Sequence, residues 1–366
     1  GGSEKLKYFM SAGRLYTTGV VPNATFARTS AKATITASLT DKLDVTISGT
    51  YSNSGGNRIQ RGSNISGVML GLLRTTPTFD NGNGITDGQD AADDPSTYLL
   101  PDGTQRSYRA GIYDNPLWTA NKNPFVDDVD RIIGFINPTY EILPWMKASV
   151  KVGIDQFTDK RNSAFDINSA TQPAGQVDYS VNSVSVVNTD ALLLMNKEIN
   201  EDIYLNATIG HNYYERIQSI DSYQGTTMAI PGFYDISNTT DVIAAKDESK
   251  RKLHGVFGDI KLSYKEMLFL NLTGRNDWSS TLPEDDNSFF YPSASLGFDV
   301  TEAFGIANNS TIPYAKVRAS WGQVGNDAPI YSTTNVYTQA FVGGDGFING
   351  VTFPALGATA FERGAL

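Results

Sequence analysis

The sequence is dominated by an alternation of apolar and polar side chains that recurs along most of its length. In the segment 43–52 the odd positions are apolar or Gly and the even positions are polar. The segments 147–155, 268–273 and 315–322 largely repeat this two-residue period. Such a period is typical of β-strands whose two faces meet different surroundings. The pattern therefore predicts an all-β chain.

About eleven strands are expected from the alternating segments. They lie near 5–16, 28–39, 43–54, 128–142, 146–162, 178–196, 203–217, 250–265, 268–279, 290–301 and 313–323. Many exceed the roughly 5–6 residues of a globular strand and reach the roughly 9–11 with which a tilted strand crosses a bilayer. Their length favours a membrane-spanning sheet.

The connections between these strands alternate between short and long. Short turns fall at 40–42, 143–145, 197–202 and 265–266, and long loops at 55–127, 163–177, 218–249 and 280–289. Outer-membrane barrels have short turns on one side of the membrane and long loops outside the cell. Loop lengths therefore favour a barrel over a soluble sandwich. A short amphipathic helix is expected at 65–74, inside the longest loop.

Alternation divides the side chains between two faces. One face is expected to contact lipid through Leu43, Val45, Ile47, Leu268, Leu270, Leu272, Val317 and Ala319. The other is expected to line a wet lumen with Thr46, Ser48, Asn271, Thr273, Lys316 and Arg318. Aromatic side chains near the strand ends, such as Tyr8, Tyr213 and Trp321, suit the two lipid–water interfaces.

Composition excludes several classes of function. A net charge of −10 argues against nucleic acid, which needs a Lys/Arg surface. There is no Cys, and the two histidines, His211 and His254, cannot form a three-His metal site. We expect both at an interface or in the lumen. No apolar run approaches the ~18 residues of a membrane helix. The first residues lack the features of a signal peptide, so an interior piece of a longer precursor is expected.

No motif for catalysis or for a cofactor stands out. There is no G-x-S-x-G sequence, and the stretch 82–88 departs from a dinucleotide loop because Asp87 takes the place of the third glycine. Asp80, Asp87 and Asp90 are weak calcium candidates, since hard cations prefer clustered oxygen ligands. EF-hand spacing fails there, because glycines occupy two ligand positions. We therefore expect a solvated loop, no metal, no cofactor and no enzyme.

Three stretches late in the chain form an ordered motif. Residues 274–280 read G-R-N-D-W-S-S, residues 287–298 contain F-F-Y-P-S, and residues 315–326 read A-K-V-R-A-S-W-G-Q-V-G-N. In this order they resemble the SusC/RagA family of TonB-dependent outer-membrane transporters. The motif positions are Arg275, Asp277, Ser279, Ser280, Pro292, Ser293, Lys316, Arg318, Gly322, Gly325 and Asn326. The resemblance covers nearly the whole chain and weakens after about residue 340.

The resemblance implies a fold, a function and partners. Such proteins are transmembrane antiparallel up-and-down β-barrels of about 22 strands with a plugged lumen, so residues 1–366 would form about half a barrel as one partial domain. They import nutrients actively across the bacterial outer membrane. The expected substrate is an oligosaccharide or other glycan, with an oligopeptide as the second choice. The expected partners are a SusD-like lipoprotein, outer-membrane lipid, and TonB–ExbB–ExbD acting through an absent N-terminal part.

Two other functions stay open. One is a soluble or surface all-β protein that binds carbohydrate or acts as an adhesin, and the other is a passive porin. A plug would separate a transporter from a porin. What the apolar face contacts, lipid or a second sheet, would separate a barrel from a sandwich.

The longest loop contains the candidates for contact with a substrate or partner. These are Tyr108, Arg109, Tyr113, Asp114 and Trp118. Aromatic faces with convergent polar groups are what either a glycan or a protein partner requires. The alternative is that these side chains only pack the loop onto itself, since a loop of this length needs its own small core to stay ordered.

Overall fold

Eleven antiparallel strands form one sheet, in which each strand pairs with its neighbours in sequence. The computed structural model describes residues 1–60, 63–306, 314–333, 337–342 and 351–356, the last two ranges by their backbone alone. The strands are β1 (Leu6–Thr18), β2 (Thr25–Thr40), β3 (Leu43–Asn57), β4 (Phe125–Leu143), β5 (Met146–Phe165), β6 (Gln176–Asn200), β7 (Ile203–Met228), β8 (Thr239–Tyr264), β9 (Leu268–Ser279), β10 (Ser288–Asp299) and β11 (Lys316–Gly322). Two further strands, β12 (Tyr337–Val342) and β13 (Val351–Leu356), pair separately. The predicted all-β, up-and-down arrangement is confirmed.

Cross-strand register places the predicted lipid-facing residues on a single face. Ile47 of β3 lies opposite Ile35 of β2. Leu296 of β10 lies opposite Leu270 of β9 and opposite Ala319 of β11. Large apolar side chains on this side remain uncovered, and Ile47 is 50% exposed. We call this side the apolar face. An exposed apolar surface of this extent indicates a face that contacts either a membrane or another protein surface.

The opposite side, the polar face, carries hydroxyl, amide and charged groups. The hydroxyls of Thr34 and Ser48 lie 2.8 Å apart, and those of Thr36 and Thr46 lie 3.2 Å apart. The residues predicted to line the lumen are Thr46, Ser48, Asn271, Thr273, Lys316 and Arg318, and the register places them all on this face. A slip of one residue would have exchanged the two groups. The predicted division into two faces is confirmed.

Short and long connections gather at opposite ends of the sheet. Turns at 41–42, 144–145, 201–202 and 265–267 define the turn end, and connections at 58–124, 166–175, 229–238 and 280–287 define the loop end. The connection 300–315 is a longer one at the turn end, and it begins with the short helix α4 (Val300–Ala303). Helix α4 is capped by the Asp299 side chain, which accepts a hydrogen bond from the backbone N–H of Glu302.

One predicted loop is much shorter than expected. Alternation predicts a loop over 218–249, but β7 continues to Met228 and β8 begins at Thr239. Asp221 and Lys246, for example, form a cross-strand pair in this region. In these parts of β7 and β8, near the loop end, charged side chains occur on the apolar face as well as on the polar face. The alternation of apolar and polar residues therefore disappears from the sequence, although the backbones of the two strands remain paired. The sheet therefore extends past its apolar band at the loop end.

The helices are short and lie in the connections. Helix α1 (Val68–Arg74) confirms the predicted helix at 65–74. The same long connection contains α2 (Gly88–Asp93) and α3 (Pro116–Lys122), which hydropathy alternation does not predict. Among the described residues, no helix is both long enough and apolar enough to span a membrane.

The fold bears on the choice between a barrel and a sandwich. In a sandwich, the apolar face of one sheet is buried against a second sheet. Across the described sheet, apolar side chains such as Ile209 (54%), Leu296 (48%) and Val317 (64%) remain exposed. The two short strands β12 and β13 pair only with each other. The fold therefore does not support the sandwich alternative.

Candidate functional site at the loop end

At the loop end, hydrogen bonds to two buried carboxylates, those of Asp114 and Asp166, join three loops. The loops are 63–124, 166–175 and 229–238, and together we call them the cap. Asp114, only 1% exposed, accepts a hydrogen bond from Ser66 Oγ (2.6 Å) within the first loop. It also accepts hydrogen bonds from Ser169 Oγ (2.7 Å) and from the backbone N–H of Ala170 (2.6 Å) in the second loop. Asp114 therefore joins the first loop to the second.

Asp166 joins the second loop to the third. It is 1% exposed and accepts hydrogen bonds from the backbone N–H of Gly232 (2.9 Å) and from the Tyr234 hydroxyl (3.1 Å) in the third loop. Lys122 Nζ, at the end of α3, lies 4.0 Å from the same carboxylate. Burial and the nearby Asp166 raise the pKa of the Tyr234 phenol, so it remains a donor. The three loops are thus one connected unit.

Helix α3 supplies the small core of the cap. Its N-cap Asn115 accepts a hydrogen bond from the backbone N–H of Leu117 (2.7 Å), and Pro116 suits the first turn, where no N–H donor is needed. The buried cluster consists of Ala91, Ala92, Tyr98, Leu117 and Trp118. Trp118 is 2% exposed. The longest loop is therefore ordered by a core of its own.

Aromatic rings and arginines form a continuous stack on the cap. Tyr108 and Tyr113 are stacked, with ring centroids 6.0 Å apart and planes at 12°. The Phe79 centroid lies 6.3 Å from that of Tyr108. The guanidinium carbon of Arg106 lies 4.5 Å from the Phe79 centroid, and that of Arg74 lies 4.4 Å from the Tyr113 centroid. We call these five residues the aromatic ladder. Cation–π contacts of this kind hold the rings in place.

Arg109 lies beside the ladder with an unpaired head group. Its guanidinium carbon is 5.7 Å from the Tyr113 centroid, and the residue is exposed. Arg74 donates to Asn64, and Arg106 donates to backbone carbonyls of the loop. Within the described part of the chain, the Arg109 guanidinium has no hydrogen-bond or salt-bridge partner. Arg74 and Arg106 therefore order the ladder, whereas Arg109 presents its guanidinium at the surface.

The five residues predicted for ligand or partner contact divide into two groups. Tyr108, Arg109 and Tyr113 belong to the ladder or lie beside it. Asp114 and Trp118 are buried inside the cap, at 1% and 2% exposure. A buried side chain cannot reach a ligand without rearrangement of the loop. The cap therefore presents only the first group at its surface, and the second group orders the loop beneath it.

The weak calcium candidates stabilise local turns. Asp80 accepts hydrogen bonds from the backbone N–H groups of Gly84 (2.6 Å) and Gly82 (2.8 Å), which hold the pKa of its carboxyl below the usual value. Asp87 is the N-cap of α2 and accepts a hydrogen bond from the backbone N–H of Asp90 (3.1 Å). Among the residues that the structure describes, no three His, Cys, Asp or Glu side chains are grouped as metal ligands would be.

Basic side chains cover aromatic rings on the polar face. Arg275 Nε donates to Asp277 Oδ1 at 2.7 Å, and the Arg275 guanidinium carbon lies 5.4 Å from the Phe257 centroid. Lys316 Nζ lies 3.6 Å from the Phe269 centroid. Two residues of the sequence motif thus present charge over phenyl rings. Because a cationic group lies over each ring, the polar face remains hydrophilic at these positions.

The separate parts of the motif meet through Asp327. Asp327 Oδ2 accepts hydrogen bonds from Ser279 Oγ (2.6 Å) and Thr281 Oγ1 (3.0 Å). Arg251 donates to both carboxylate oxygens, at 2.7 and 2.8 Å. Burial of Asp327 opposes its ionisation, but these hydrogen bonds outweigh it and hold the pKa of the carboxyl below its usual value. The segment after β11 is thereby anchored to β8 and β9.

Close packing explains other motif positions. Gly322 lies opposite Ser293, and a Cβ on Gly322 would come within 3.1 Å of the Ser293 side chain. A Cβ on Gly325 would lie 3.4 Å from the Tyr291 ring. The other motif residues lie in β10 or β11 or at the loop end: Ser280, Pro292, Arg318 and Asn326.

Sequence reasoning did not assign a role to several residues of these arrangements. Among them are Arg74, Phe79, Asp166 and Asp327. Arg74 and Phe79 lie far before Tyr108 in the chain, and no periodicity connects them to it. Asp327 carried a signal, since it directly follows the motif residue Asn326.

Comparison with known proteins identifies the family. A family described as "TonB dependent receptor-like, beta-barrel" matches residues 67–359. TonB-dependent receptor P26 of Formosa agariphila is 30% identical over 168 residues, which are 43% of this chain and 17% of that protein. TonB-dependent receptor P3 of the same organism is 21% identical over 362 residues, 96% of this chain and 35% of that protein. The chain thus spans about a third, or less, of these relatives.

Solved structures agree in fold. The RagAB peptide importer in its open-open state matches with a TM-score of 0.75 at 15% identity, over 97% of this chain and 38% of that chain. The pyoverdine-bound FpvA of P. aeruginosa matches with a TM-score of 0.51 at 10% identity, over 81% and 36%. These likenesses concern the fold, and they agree with the SusC/RagA resemblance. Since the family match covers most of its length, the chain belongs to the TonB-dependent receptor-like β-barrel family.

Proposed function

We propose that the protein to which this chain belongs imports a nutrient actively across the bacterial outer membrane, powered by TonB. The observation that carries the proposal is a sheet with an uncovered apolar face and a wettable polar face, joined to an ordered cap at one end. In this proposal the apolar face contacts lipid, the polar face lines the lumen, and the cap lies outside the cell. Residues 1–366 would then form about half of the barrel wall.

The proposed substrate is an oligosaccharide. Sugar rings stack on aromatic faces, and their hydroxyls accept hydrogen bonds from groups such as the Arg109 guanidinium and the tyrosine hydroxyls of the ladder. The second candidate is an oligopeptide, because structural neighbours of the chain include the RagAB peptide transporter, which matches with a TM-score of 0.71. A guanidinium would serve a peptide carboxylate equally well.

The proposed partners follow from the same placement. A SusD-like lipoprotein would dock on the cap, where it could receive substrate and deliver it to the ladder. TonB–ExbB–ExbD would act through a part of the protein outside residues 1–366. The family consists of receptors and transporters, so the proposal involves no catalytic step.

An uptake assay tests the proposal. Cells of the parent bacterium with and without the gene would be supplied with labelled oligosaccharides or labelled oligopeptides, each with TonB active or deleted. We expect TonB-dependent uptake of an oligosaccharide only when the gene is present. Uptake of peptides alone would favour the second candidate. Unchanged uptake of both classes in the deletion strain would contradict the proposal.

Replacement of ladder residues tests the role of the cap. In the full-length protein, Tyr108→Ala together with Tyr113→Ala should lower uptake at least several-fold while the barrel still assembles. Loss of the co-purified lipoprotein would assign the ladder to partner docking, and loss of uptake with the lipoprotein retained would assign it to substrate. Tyr223→Ala is the matched control, because Tyr223 is an exposed tyrosine (39%) on β7, outside the cap. Normal uptake in both variants would remove the ladder from the mechanism.

A further inference from the structure

The apolar face changes character along β8. From the turn end upward, the side chains on this face are Tyr264, Leu262, Ile260, Gly258 and Val256, followed by His254, Lys252 and Lys250. The partner strand β7 shows the same change, from Leu205, Ala207 and Ile209 to His211, Tyr213 and Glu215. Above Glu215, Ile217 is an apolar residue opposite Lys250. The outer wall of the sheet therefore has an apolar band with a polar and charged zone directly above it.

The distance from the turn end of β8 to this change matches the height of the apolar band in outer-membrane barrels. His254 is about ten residues above Tyr264, or about 33 Å along the strand at ~3.3 Å per residue. A barrel strand tilted by about 40° converts that length into about 25 Å of height, which is the height of the apolar band in outer-membrane barrels. His254 would then lie at the outer lipid–water interface, and Lys252 and Lys250 would lie at the level of the lipid headgroups.

Aromatic rings surround His254 at this level. The centroids of His254 and Tyr213 are 4.9 Å apart, and those of His254 and His211 are 5.8 Å apart. Trp278 of β9 lies opposite His254 and is 39% exposed. Rings with an apolar body and a polar edge are typical of the interface. The cluster thus has the composition expected for an interfacial belt, with imidazole N–H groups available as donors.

Positive charge exceeds negative charge just above this belt. Lys250 Nζ lies 2.7 Å from a Glu215 carboxylate oxygen, and Lys252 Nζ lies 3.9 Å from the same oxygen. Two ammonium groups therefore share one carboxylate, and both lysines are nearly half exposed, at 49% and 44%. The acidic turn Glu284–Asp286 belongs to the next loop, between β9 and β10. This excess stands out in a chain of net charge −10.

We propose that Lys250 and Lys252, with His254 and His211 below them, bind the phosphate groups of an outer-leaflet glycolipid whose acyl chains lie on the apolar band. The proposal rests on the proposed outer-membrane location. Ammonium and imidazole groups donate hydrogen bonds to phosphate oxygens, and the exposed apolar residues beneath, such as Ile260 at 45%, receive the hydrocarbon. Glu215 pairs with both lysines, and it limits the affinity.

Lipid binding by the purified full-length protein tests this site. The probe is lipopolysaccharide from the parent bacterium, added to the delipidated protein in detergent and measured by native mass spectrometry. The variant Lys250→Gln with Lys252→Gln should bind about 25-fold more weakly, since each lysine near an anionic lipid surface contributes about fivefold. Glu215→Gln should bind more tightly. Lys246→Gln should change nothing, because Lys246 lies higher and pairs with Glu248 at 2.7 Å.

Several results would overturn the proposal. Equal affinity of the wild type and the double lysine variant would do so, provided that both run as folded barrels. Weaker binding by Glu215→Gln would do so as well. Enzymatically dephosphorylated lipopolysaccharide should bind as weakly as the double variant does to the intact lipid. Displacement of the lipid by an equal concentration of inorganic phosphate would show that acyl contacts contribute nothing. Cell fractionation and uptake separately test the outer-membrane function, so the two proposals can fail independently.

Discussion

Asp114 shows how a single buried charge can order a surface loop. Its carboxylate accepts hydrogen bonds from two hydroxyls and a backbone N–H, and from Gln105 Nε2 at 2.9 Å. Hydrogen bonds to an ionised acceptor are stronger than neutral ones, and the donors would be left unpaired without it. The cap therefore depends on this residue more than on any exposed ring.

Removal of that carboxylate should loosen the cap and leave the sheet intact. We expect Asp114→Ala to destabilise the cap by about 3 kcal/mol, because several buried donors lose their acceptor at once. Hydrogen exchange or limited proteolysis of residues 63–124 would measure this. Asp102→Ala is the matched control, since Asp102 is exposed and its side chain bonds only within its own turn, to Thr104. Equal protection in the two variants would contradict the assigned role.

Asp327 should make the segment after β11 sensitive to acid. Its folded-state pKa lies below the value of about 3.9 for an unperturbed Asp, so the stabilisation is complete above that pH and is lost as the pH falls through the folded pKa. Protection of residues 323–333, taken relative to the intrinsic exchange rate at each pH, should therefore be constant near neutral pH and should fall as the pH drops below about 3.9 and through the folded pKa. Asp327→Asn should be less protected than the wild type at pH 7, and the difference between the two should narrow as the pH falls through the folded pKa of Asp327. A difference that persists unchanged at low pH would refute this assignment.

At the scale of strands, periodicity predicts most of what is observed. Alternation located all eleven strands of the sheet and both faces because each strand carries apolar side chains on one face and polar side chains on the other. It failed in the upper parts of β7 and β8, where both faces carry polar groups. It also missed α2 and α3, whose starts depend on the capping side chains of Asp87 and Asn115 rather than on hydropathy. The ladder and the Asp327 anchor join residues distant in sequence, and no local pattern encodes such contacts.

The two faces of β3 should respond differently to the same substitution. Ile47→Arg places a charge in the middle of the apolar face, and we expect it to cost about 2–4 kcal/mol of barrel stability. Ser48→Arg is its control, since the neighbouring position lies on the polar face and should cost little. Urea unfolding of the full-length protein in lipid vesicles measures both. Similar losses for the two variants would mean that both faces meet the same environment.

On the scale of the whole molecule, the sheet is open. Within the described residues, β1 and β11 each pair with a single neighbouring strand. In lipid every unpaired backbone group costs several kcal/mol, so residues 1–366 expressed alone should not insert as a monomer. Refolding into detergent followed by gel mobility with and without heating would measure this. A heat-modifiable, folded monomer from these residues would show that the sheet closes without further strands.

Under the proposed function, the two buried links between the loops of the cap bear on how a receptor of this kind could change its ligand. Asp114 and Asp166, both buried, join the three loops, and their hydrogen-bond partners do not include the side chains of Tyr108, Arg109 or Tyr113. Mutations at these three positions can therefore accumulate without unfolding the loops, as they do in antibodies, where a constant framework supports hypervariable positions. Related receptors that share Asp114 and Asp166 but differ in the aromatic ladder would then recognise different nutrients with the same loop structure.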